Sequence, residues 1–292
     1  MASNHRLLVM GATGMCGHVT ALEAVQRFDT WATVHQNSRA IVDLRSDHVL
    51  TNVDARDDAS VDRAIREAQP TTVINCIGIV KQRDDVGLEA MKQINTALPH
   101  HLARRCDDIG ARLIHISTDC VFSGLPDDRP HGYSEVIEPD PCDDYGRTKV
   151  EGEIHHAPHV TIRTSMIGPE MTRASGLFEW FMAATGPVRG FANAWFTGLG
   201  TPTLAGLILD IAASPASLTG LYHVPAPRIN KLDLLRLLRD RFRPNVEVVS
   251  TPEPRIDRCL DGRRLAAEMG LRVPSWTEML DTIAQREDKD AT

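Results

Sequence analysis

A tyrosine and a lysine four positions apart are the residues in this chain whose types and spacing most directly suggest chemistry. On a helix, Tyr145 and Lys149 would lie on one face. An unperturbed tyrosine loses its proton near pH ~10, and a neighbouring cation favours the phenolate. The pair therefore predicts a tyrosine that exchanges a proton with a substrate, with Lys149 lowering the pKa of Tyr145. This spacing also occurs by chance on solvated helices, so the rest of the chain must decide.

A glycine-rich turn near the start of the chain is the second feature. Residues 11–17 read Gly-Ala-Thr-Gly-Met-Cys-Gly, between an apolar strand pattern and a helical one. Glycines let main-chain N–H groups approach a pyrophosphate at the positive end of the helix. The spacing differs from Gly-x-Gly-x-x-Gly, and a βα turn without a ligand is the alternative. We predict dinucleotide binding.

The ends of the next two predicted strands bear on cofactor choice. NAD-binding chains usually carry an acid at the end of strand two, whereas this chain has His35, followed by Arg39, which could face a 2′-phosphate. NADPH is therefore favoured, with NADH as the alternative. Asp54 and Ala55 end strand three, where the adenine would lie. A strand-end turn is an equal interpretation of Asp54.

Strands four and five end in polar or small residues that could meet a ligand. Asn75 to Gly78 close strand four, and Ser117 to Asp119 close strand five. Ligands bind at this carboxyl edge of open α/β sheets. Thr118 could hydrogen-bond a substrate carbonyl while Tyr145 delivers the proton.

The elements that must position these residues alternate between short apolar runs and amphipathic segments. This pattern is typical of a parallel sheet covered by helices. The predicted strands are 6–12, 31–35, 50–54, 71–78, 112–118 and 160–167; the predicted helices are 15–28, 58–68, 88–107 and 144–156, with Asp58 and Asp144 as N-caps. We therefore expect an α/β fold with a doubly wound parallel sheet.

The alternation loosens after residue 169, which indicates two lobes. We expect residues 1–170 to form the dinucleotide-binding domain, with added segments from 190–225, and residues 171–292 to form a smaller substrate lobe. A helix is expected near 176–184, followed by an irregular glycine-rich stretch through residue 200. Helices are expected over 203–213, 231–242, 263–269 and 276–285, strands over 220–225 and 246–251, and a frayed tail over 286–292.

Composition excludes several classes of function. The net charge is −7, and the basic residues are scattered, so no surface for nucleic acid or anionic lipid is indicated. Neither a signal peptide nor a membrane span is recognisable, which predicts a cytoplasmic protein. The six cysteines form no Cys-x-x-Cys pair, so we expect neither disulfides nor a zinc site.

Together these motifs resemble the extended short-chain dehydrogenase/reductase family, and within it the dTDP-4-dehydrorhamnose reductases. The resemblance rests on residues 11–18, 73–76, 114–124, 145–153 and 162–165. It is specific to about residue 173 and weaker beyond. It implies an NAD(P)-binding Rossmann-type sheet with a smaller C-terminal substrate lobe.

The resemblance also implies roles for individual residues. The catalytic triad's positions fall on Thr118, Tyr145 and Lys149. The positions of the phosphate loop fall on Gly11, Thr13, Gly14, Met15 and Gly17, and those lining the cofactor cleft on Cys76, Ile77, Gly78 and Arg163. Tyr145 and Lys149 would also contact the cofactor.

The function implied is the NADPH-dependent reduction of a nucleotide-linked 4-keto-6-deoxy sugar, in surface-polysaccharide or deoxysugar biosynthesis. Related dehydratases use an Asp-Glu pair after the strand-five Thr, but here Cys120 follows Asp119, which favours reduction. Lys81, Asp119 and Cys120 are the candidate substrate contacts. An NAD-dependent epimerase and a non-catalytic regulatory subunit are the alternatives. We predict no metal and leave oligomeric state open, with a homodimer as one form.

Overall fold

A parallel sheet runs through the centre of the computed structural model, which describes residues 5–36, 44–81, 86–125, 129–171, 176–215 and 217–290. The strands are β1 Arg6–Met10, β2 Asp29–Thr33, β3 Val49–Leu50, β4 Thr72–Asn75, β5 Arg112–Thr118, β6 Val160–Thr164, β7 Met166–Ile167, β8 Val188–Phe191, β9 Ala194–Phe196, β10 Leu199–Gly200, β11 Gly220–His223, β12 Ile229–Asn230, β13 Val248–Thr251 and β14 Ile256–Asp257. The helices are α1 Met15–Ala24, α2 Asp58–Ala68, α3 Leu88–Lys92, α4 Leu98–Ile109, α5 Asp144–Glu151, α6 Leu177–Met182, α7 Thr201–Ala213, α8 Lys231–Phe242, α9 Arg263–Met269 and α10 Trp276–Asp290.

Strand order identifies the topology. The seven-stranded sheet runs β3-β2-β1-β4-β5-β6-β11, and every pairing in it is parallel. The order reverses between β1 and β4, which makes a doubly wound, Rossmann-type sheet. The carboxyl ends of β1, β4 and β5 therefore meet at one edge, where such sheets bind ligands.

Alternating side chains of each strand supply two cores. Leu7 and Val9 face one side of the sheet with residues of α1 and α7. Leu8 and Met10 face the other side with residues of α2 and α4. Every residue of β5 is buried, as expected for a central strand covered on both faces. This burial gives the strand that carries Thr118 a fixed position.

The N-caps of two helices lie one residue before the predicted ones. Asp57 has extended backbone and accepts a hydrogen bond from Ala59 N, and Asp143 does the same for Gly146 N. Asp58 and Asp144 are instead the first helical residues, where a negative charge is still favourable. The prediction chose the second Asp of each Asp-Asp pair, and it was wrong because only a non-helical residue can cap.

The last third of the chain forms small sheets rather than the irregular stretch expected before Gly200. β8 pairs with β13, and β9 pairs with β12 and β14. The predicted strand 160–167 divides, because Thr164 ends β6 while Met166 and Ile167 pair with β10. These short strands depend on distant partners, so local periodicity could not show them.

The carboxyl end of the chain is more ordered than expected. The predicted frayed tail is helical as far as Asp290 within α10, and Arg286 forms an ion pair with Glu23 of α1. Among the helices that the structure describes, none combines the length and apolar character needed to cross a membrane.

The segment after β5 is bound to the C-terminal third of the chain. Tyr133 N donates to Cys259 O at 2.8 Å, and Asp261 N donates to Tyr133 O at 2.7 Å. Asp257 N donates to Gly124 O at 2.8 Å. These main-chain bonds hold residues 256–261 beside the end of β5, and so bring C-terminal side chains to the same edge of the sheet.

Candidate active site

Two glycines of the turn after β1 are packed so closely that neither has room for a side chain. Gly11 has a φ of +79°, and a Cβ there would lie 2.7 Å from Ile77 Cγ1. A Cβ on Gly17 would lie 2.2 Å from Gly11 O. The first glycine therefore supplies a left-handed turn, and the last lets α1 approach it.

Helix α1 presents an uncapped amino end at this turn. Gly14 is its N-cap, and within the described residues no side chain caps the helix and no acid lies in its first turn. Thr13 and Met15 flank this end and are partly exposed. Free main-chain N–H groups and the helix dipole make such an end suited to a phosphate.

Residues expected to select the cofactor are only partly described. His35 is exposed after β2, whereas Arg39 lies outside the described residues. Asp54 is bound by Arg56, whose guanidinium donates to both carboxylate oxygens at 3.0 and 2.7 Å. This pairing lowers the pKa of Asp54 to about 2. Asp54 is therefore a charged strand-end residue, and Ala55 packs against the core beside it.

An asparagine from the helix after β4 shapes the next loop. Asn95 Oδ1 accepts from Ile79 N at 2.9 Å, and Asn95 Nδ2 donates to Ile79 O at 3.0 Å. Asn95 lies in the π-helical segment Gln93–Ala97, a deviation often found at functional sites. A Cβ on Gly78 would lie 4.0 Å from Lys149 Nζ. The loop thus leaves an open place beside the ammonium group.

Lys149 is buried in α5 with its ammonium group at the end of β5. Its Nζ donates to Ile116 O at 2.7 Å and lies 3.4 Å from His115 Nε2. Only 4% of the residue is exposed. Burial lowers the pKa of Lys149 from 10.5 to about 8, because the charged form loses hydration.

Hydrogen bonding fixes the tautomer of His115. Asn75 Oδ1 accepts from Ile77 N, so Asn75 Nδ2 is the atom that faces His115 Nδ1 at 3.1 Å. Nδ1 therefore accepts, and the ring proton is on Nε2, facing Lys149. Burial, and then the charge of Lys149, lower the pKa of His115 well below 6.5. An N–H facing Lys149 favours the uncharged amine, in the same direction as burial.

Tyr145 lies in the first turn of α5. Asp143 caps this turn by accepting from Gly146 N at 2.8 Å. Lys81, predicted as a substrate contact, pairs with the same carboxylate at 2.8 Å. The cap therefore connects the loop after β4 to the turn that holds Tyr145.

The pKa of Tyr145 is raised rather than lowered. Burial is the main cause, followed by the nearby Cys120 group, while the Thr118 hydroxyl has the opposite effect. The predicted lowering of the Tyr145 pKa by Lys149 was wrong, because Lys149 Nζ bonds to the carbonyl of Ile116 in β5. Tyr145 is thus a protonated phenol next to Thr118.

The residues directly after Thr118 are a buried carboxyl group and a partly buried thiol. Thr118 Oγ1 accepts from Cys120 N at 3.1 Å and begins a short 3₁₀ turn. Burial raises the pKa of Asp119, and burial with the adjacent Asp119 raises the pKa of Cys120 to about 12. Cys120 is therefore a neutral thiol.

Arg163, which was expected to line the cofactor cleft, lies in a buried ion pair; its contact with a cofactor stays a prediction. Its guanidinium donates to both carboxylate oxygens of Glu153 at 2.7 Å, and Ser117 Oγ donates to the same group at 2.8 Å. Arg163 is 2% exposed. The ion pair and the bond from Ser117 therefore hold β6 and the end of β5 together.

Two cations near Asp119 were missed at the level of sequence. Lys231 Nζ lies 3.4 Å from the ring centroid of Phe196, and burial lowers the pKa of Lys231 to about 8. Arg258 donates to Phe122 O at 2.8 Å and lies 3.9 Å from Cys120 Sγ. The charges of both groups act to lower the pKa of Asp119, against the larger effect of burial. Only tertiary pairing brings them here, so no local pattern could have identified them.

One group of side chains outside this site has metal-ligand types. The ligand atoms of Asp107, His156 and His159 lie within 4.8 Å of one another. His159 Nδ1 accepts from Leu113 N, so its proton is on Nε2, which donates to Asp107. The Nδ1 lone pair accepts from Leu113 N and Nε2 carries the proton, so neither ring nitrogen of His159 is available to an ion. The prediction of no metal stays a prediction.

Comparison with known proteins identifies the family. The RmlD substrate binding domain family matches this chain over residues 5–288. The chain belongs to this family. The family match covers both the Rossmann-type sheet and the C-terminal third.

Two curated relatives illustrate the similarity in sequence. The chain is 35% identical over 153 residues to dTDP-4-dehydrorhamnose reductase of Mycobacterium tuberculosis, and 33% identical over 153 residues to methionine adenosyltransferase 2 subunit beta of Mus musculus. Each match takes in 51% of this chain but only 45% and 42% of those proteins, so less than half of either relative is covered.

The structural similarity extends over the whole chain. The crystal structure of dTDP-4-dehydrorhamnose reductase from Bacillus anthracis, in complex with NADP, superposes with a TM-score of 0.79. It covers 97% of this chain and 99% of that one at 21% identity. This member of the comparison shows that the fold is shared.

Proposed function

We propose that this chain reduces the keto group of a nucleotide-linked 4-keto-6-deoxy sugar with NADPH, in surface-polysaccharide or deoxysugar biosynthesis. The observation that carries the proposal is the meeting of four features at one sheet edge. These are the phosphate turn, the hydroxyl of Thr118, the phenol of Tyr145 and the ammonium of Lys149. Relatives with the reductase name support the choice of reaction.

The residues around the cleft fit a dinucleotide. Gly11, Gly14 and the free end of α1 would hold the pyrophosphate, because the left-handed turn at Gly11 and the close approach at Gly17 would bring main-chain N–H groups to it. Lys149 beside Gly78 would hold the ribose hydroxyls of the nicotinamide half. Among the described residues after β2, His35 and Gln36 supply no acid for an adenosine ribose, which supports NADPH.

The proton step follows from the state of Tyr145. When bound, the reduced nicotinamide would supply a hydride to the keto carbon. Thr118 would hydrogen-bond the keto oxygen, and Tyr145 would donate its proton there. A raised pKa keeps Tyr145 protonated, which is the form that a ketone reduction needs.

Elimination of water is disfavoured by the same geometry. A dehydratase needs a base to remove a proton from the sugar, and the Cys120 thiol has a pKa of about 12. Burial raises the pKa of Asp119, so this carboxyl group holds its proton more tightly than an exposed one. Reduction requires neither group as a base.

The substrate contacts are proposed from the positively charged side chains around Asp119, Cys120 and Asp143. Lys231 and Arg258 place two cations near Asp119 and Cys120, and charge-assisted bonds to phosphate are strong. Lys81 is partly exposed next to Asp143 and could release that partner for a substrate. We propose that residues 171–292 supply this substrate lobe.

The two alternative functions, an epimerase and a regulatory subunit, would require different features of the chain. An epimerase would keep NAD and return it oxidised, and the strand-two residues disfavour tight NAD binding. A regulatory subunit would resemble the mouse relative named as a subunit, which is almost equally similar. Such a chain has no chemical need for Thr118, Tyr145 and Lys149 together, so their presence supports the reductase.

The test is turnover with a panel of dTDP-, UDP- and GDP-linked 4-keto-6-deoxy sugars, measured as the oxidation of NADPH. Tyr145→Phe should retain NADPH binding and lose about a hundredfold or more of turnover, because the proton donor is gone. Tyr222→Phe is the matched control, since its hydroxyl bonds Glu268 far from the cleft. No oxidation with any sugar, or equal turnover in Tyr145→Phe, would refute the proposal.

We also propose a cytoplasmic location and a homodimer. Cell fractionation and light scattering of the purified protein test these two points.

A further inference from the structure

Two thiols from distant parts of the sequence are in contact beneath the phosphate turn. Cys16 is the second residue of α1, and Cys76 directly follows β4. Cys76 Sγ donates a hydrogen bond to Cys16 Sγ at 3.9 Å. Thr20 Oγ1 lies 3.8 Å from Cys16 Sγ, and both cysteines are free.

The pair lies where the turn has no spare room. A Cβ on Gly17 would lie 3.2 Å from Cys76 Cβ and 2.2 Å from Gly11 O. The backbone of Gly11 in turn packs against Ile77. The two sulfurs therefore connect the turn that would hold a pyrophosphate to the strand end on the other side of the cleft.

The two thiols differ in reactivity. The hydrogen bond from Cys76 lowers the pKa of Cys16 and raises the pKa of Cys76 well above the ordinary value. The positive end of α1 acts on Cys16 in the same direction as this bond. Cys16 is therefore the nucleophile of the pair, and Cys76 is the thiol positioned to resolve its oxidised form.

We propose that Cys16 and Cys76 form a reversible disulfide under peroxide, and that this disulfide closes the dinucleotide site. The Cys16 thiolate attacks a peroxide oxygen, the O–O bond breaks, and a sulfenic acid and water result. Cys76 then loses its proton and attacks the Cys16 sulfur, so that the S–S bond forms and a second water leaves. The two thiols together lose two electrons, and hydrogen peroxide takes them up as two waters. A dithiol reverses the step by exchange.

Bond formation draws the turn and the carboxyl end of β4 together. A disulfide requires sulfurs about 2.05 Å apart, so these sulfurs must approach by about 2 Å. Gly17 and Gly11 are already in contact and cannot be compressed further. In the disulfide form the first turn of α1 moves towards β4, and the N–H groups proposed to hold the pyrophosphate move with it.

Bound dinucleotide should oppose this reaction. Cys16 is 6% exposed and Cys76 is partly exposed, so peroxide would reach the pair from the side of Cys76. A pyrophosphate on the turn would cover that route. This protection rests on the proposed function, whereas disulfide formation itself does not.

The first experiment detects the bond. The purified chain is treated with hydrogen peroxide, the remaining thiols are alkylated, and the digest is mapped by mass spectrometry. A cross-linked peptide pair containing Cys16 and Cys76 is expected, and it should form more slowly when NADP⁺ is present. Recovery of both thiols as alkylated peptides, or a cross-link between other cysteines, would overturn the proposal.

The second experiment measures the consequence. NADPH affinity should fall about tenfold or more on oxidation, because charge-assisted contacts are lost, and dithiothreitol should restore it. Cys16→Ser should resist this loss relative to its own untreated value, while the control Cys142→Ser, at an exposed thiol, should not. A cross-linked protein with unchanged affinity would overturn the gating role. An untreated protein that binds no NADPH would refute the proposed function, while the peptide map would still decide on the disulfide.

Discussion

Replacing Lys149 by methionine should make the protein more stable and inactive. Met has a similar length and helix preference and carries no charge, so it can occupy the same buried position. A folded-state pKa of about 8 in place of 10.5 corresponds to a cost of about 3 kcal/mol when Lys149 is charged. Loss of the hydrogen bond to Ile116 O destabilises the variant by about 1 kcal/mol. The expected net gain at neutral pH is about 2 kcal/mol.

The gain should depend on pH in a defined direction. Because the folded pKa is depressed, the unfolded chain holds more protons between about pH 8 and pH 10.5, and wild-type stability gains from Lys149 as pH rises through that window. Below about pH 8 the whole cost is present. Above about pH 10.5 it has disappeared, and Lys149→Met should no longer be the more stable protein.

Urea unfolding of the cofactor-free protein, followed by circular dichroism from about pH 7 to about pH 10, measures this difference. Lys92→Met is the control, because Lys92 is a half-exposed surface lysine paired with Glu89, and its change should stay within about 0.5 kcal/mol. The reasoning is refuted if Lys149→Met is less stable than wild type at neutral pH, or if its advantage does not change with pH.

Two further predictions concern the space around the Lys149 ammonium. Gly78→Ala places a Cβ 4.0 Å from Lys149 Nζ, an ordinary contact, so the protein should fold normally but bind NADPH about tenfold more weakly by calorimetry. Gly87→Ala is the control, because no atom lies within 4 Å of its Cβ, and it should bind NADPH like wild type. Equal losses of affinity in both variants would contradict this account. NADPH affinity should also fall as pH rises through about 8, because Lys149 loses its charge there, and a pH series with Lys149→Met, which lacks that step, checks it.

Local patterns were sufficient for the elements that repeat the strand-helix alternation. The predicted bounds of β5, α2 and α8 agree with the structure, because their burial pattern is written in consecutive residues. The same edge of the sheet therefore holds the residues that motifs indicated. Short strands such as β9 were not predictable, since their partners lie far along the chain.

The electrostatic details of the site could not be read from sequence. Spacing indicated that Tyr145 and Lys149 share a helix face, but the sign of the pKa change at Tyr145 depends on which atoms surround each group. Arg163 matched a motif and yet pairs with Glu153. Lys231 and Arg258 reach the site only because C-terminal strands pair with the segment after β5.

Deuterium transfer tests the central claim most directly. The chain is incubated with NADPH carrying deuterium at nicotinamide C4 and a dTDP-linked 4-keto-6-deoxy sugar, and the product is analysed by mass spectrometry. The account predicts one deuterium on the former keto carbon, with one NADPH consumed for each product and almost none formed by Tyr145→Phe. A product that has lost water without consuming NADPH, or a sugar that remains unlabelled in every nucleotide form, would contradict it.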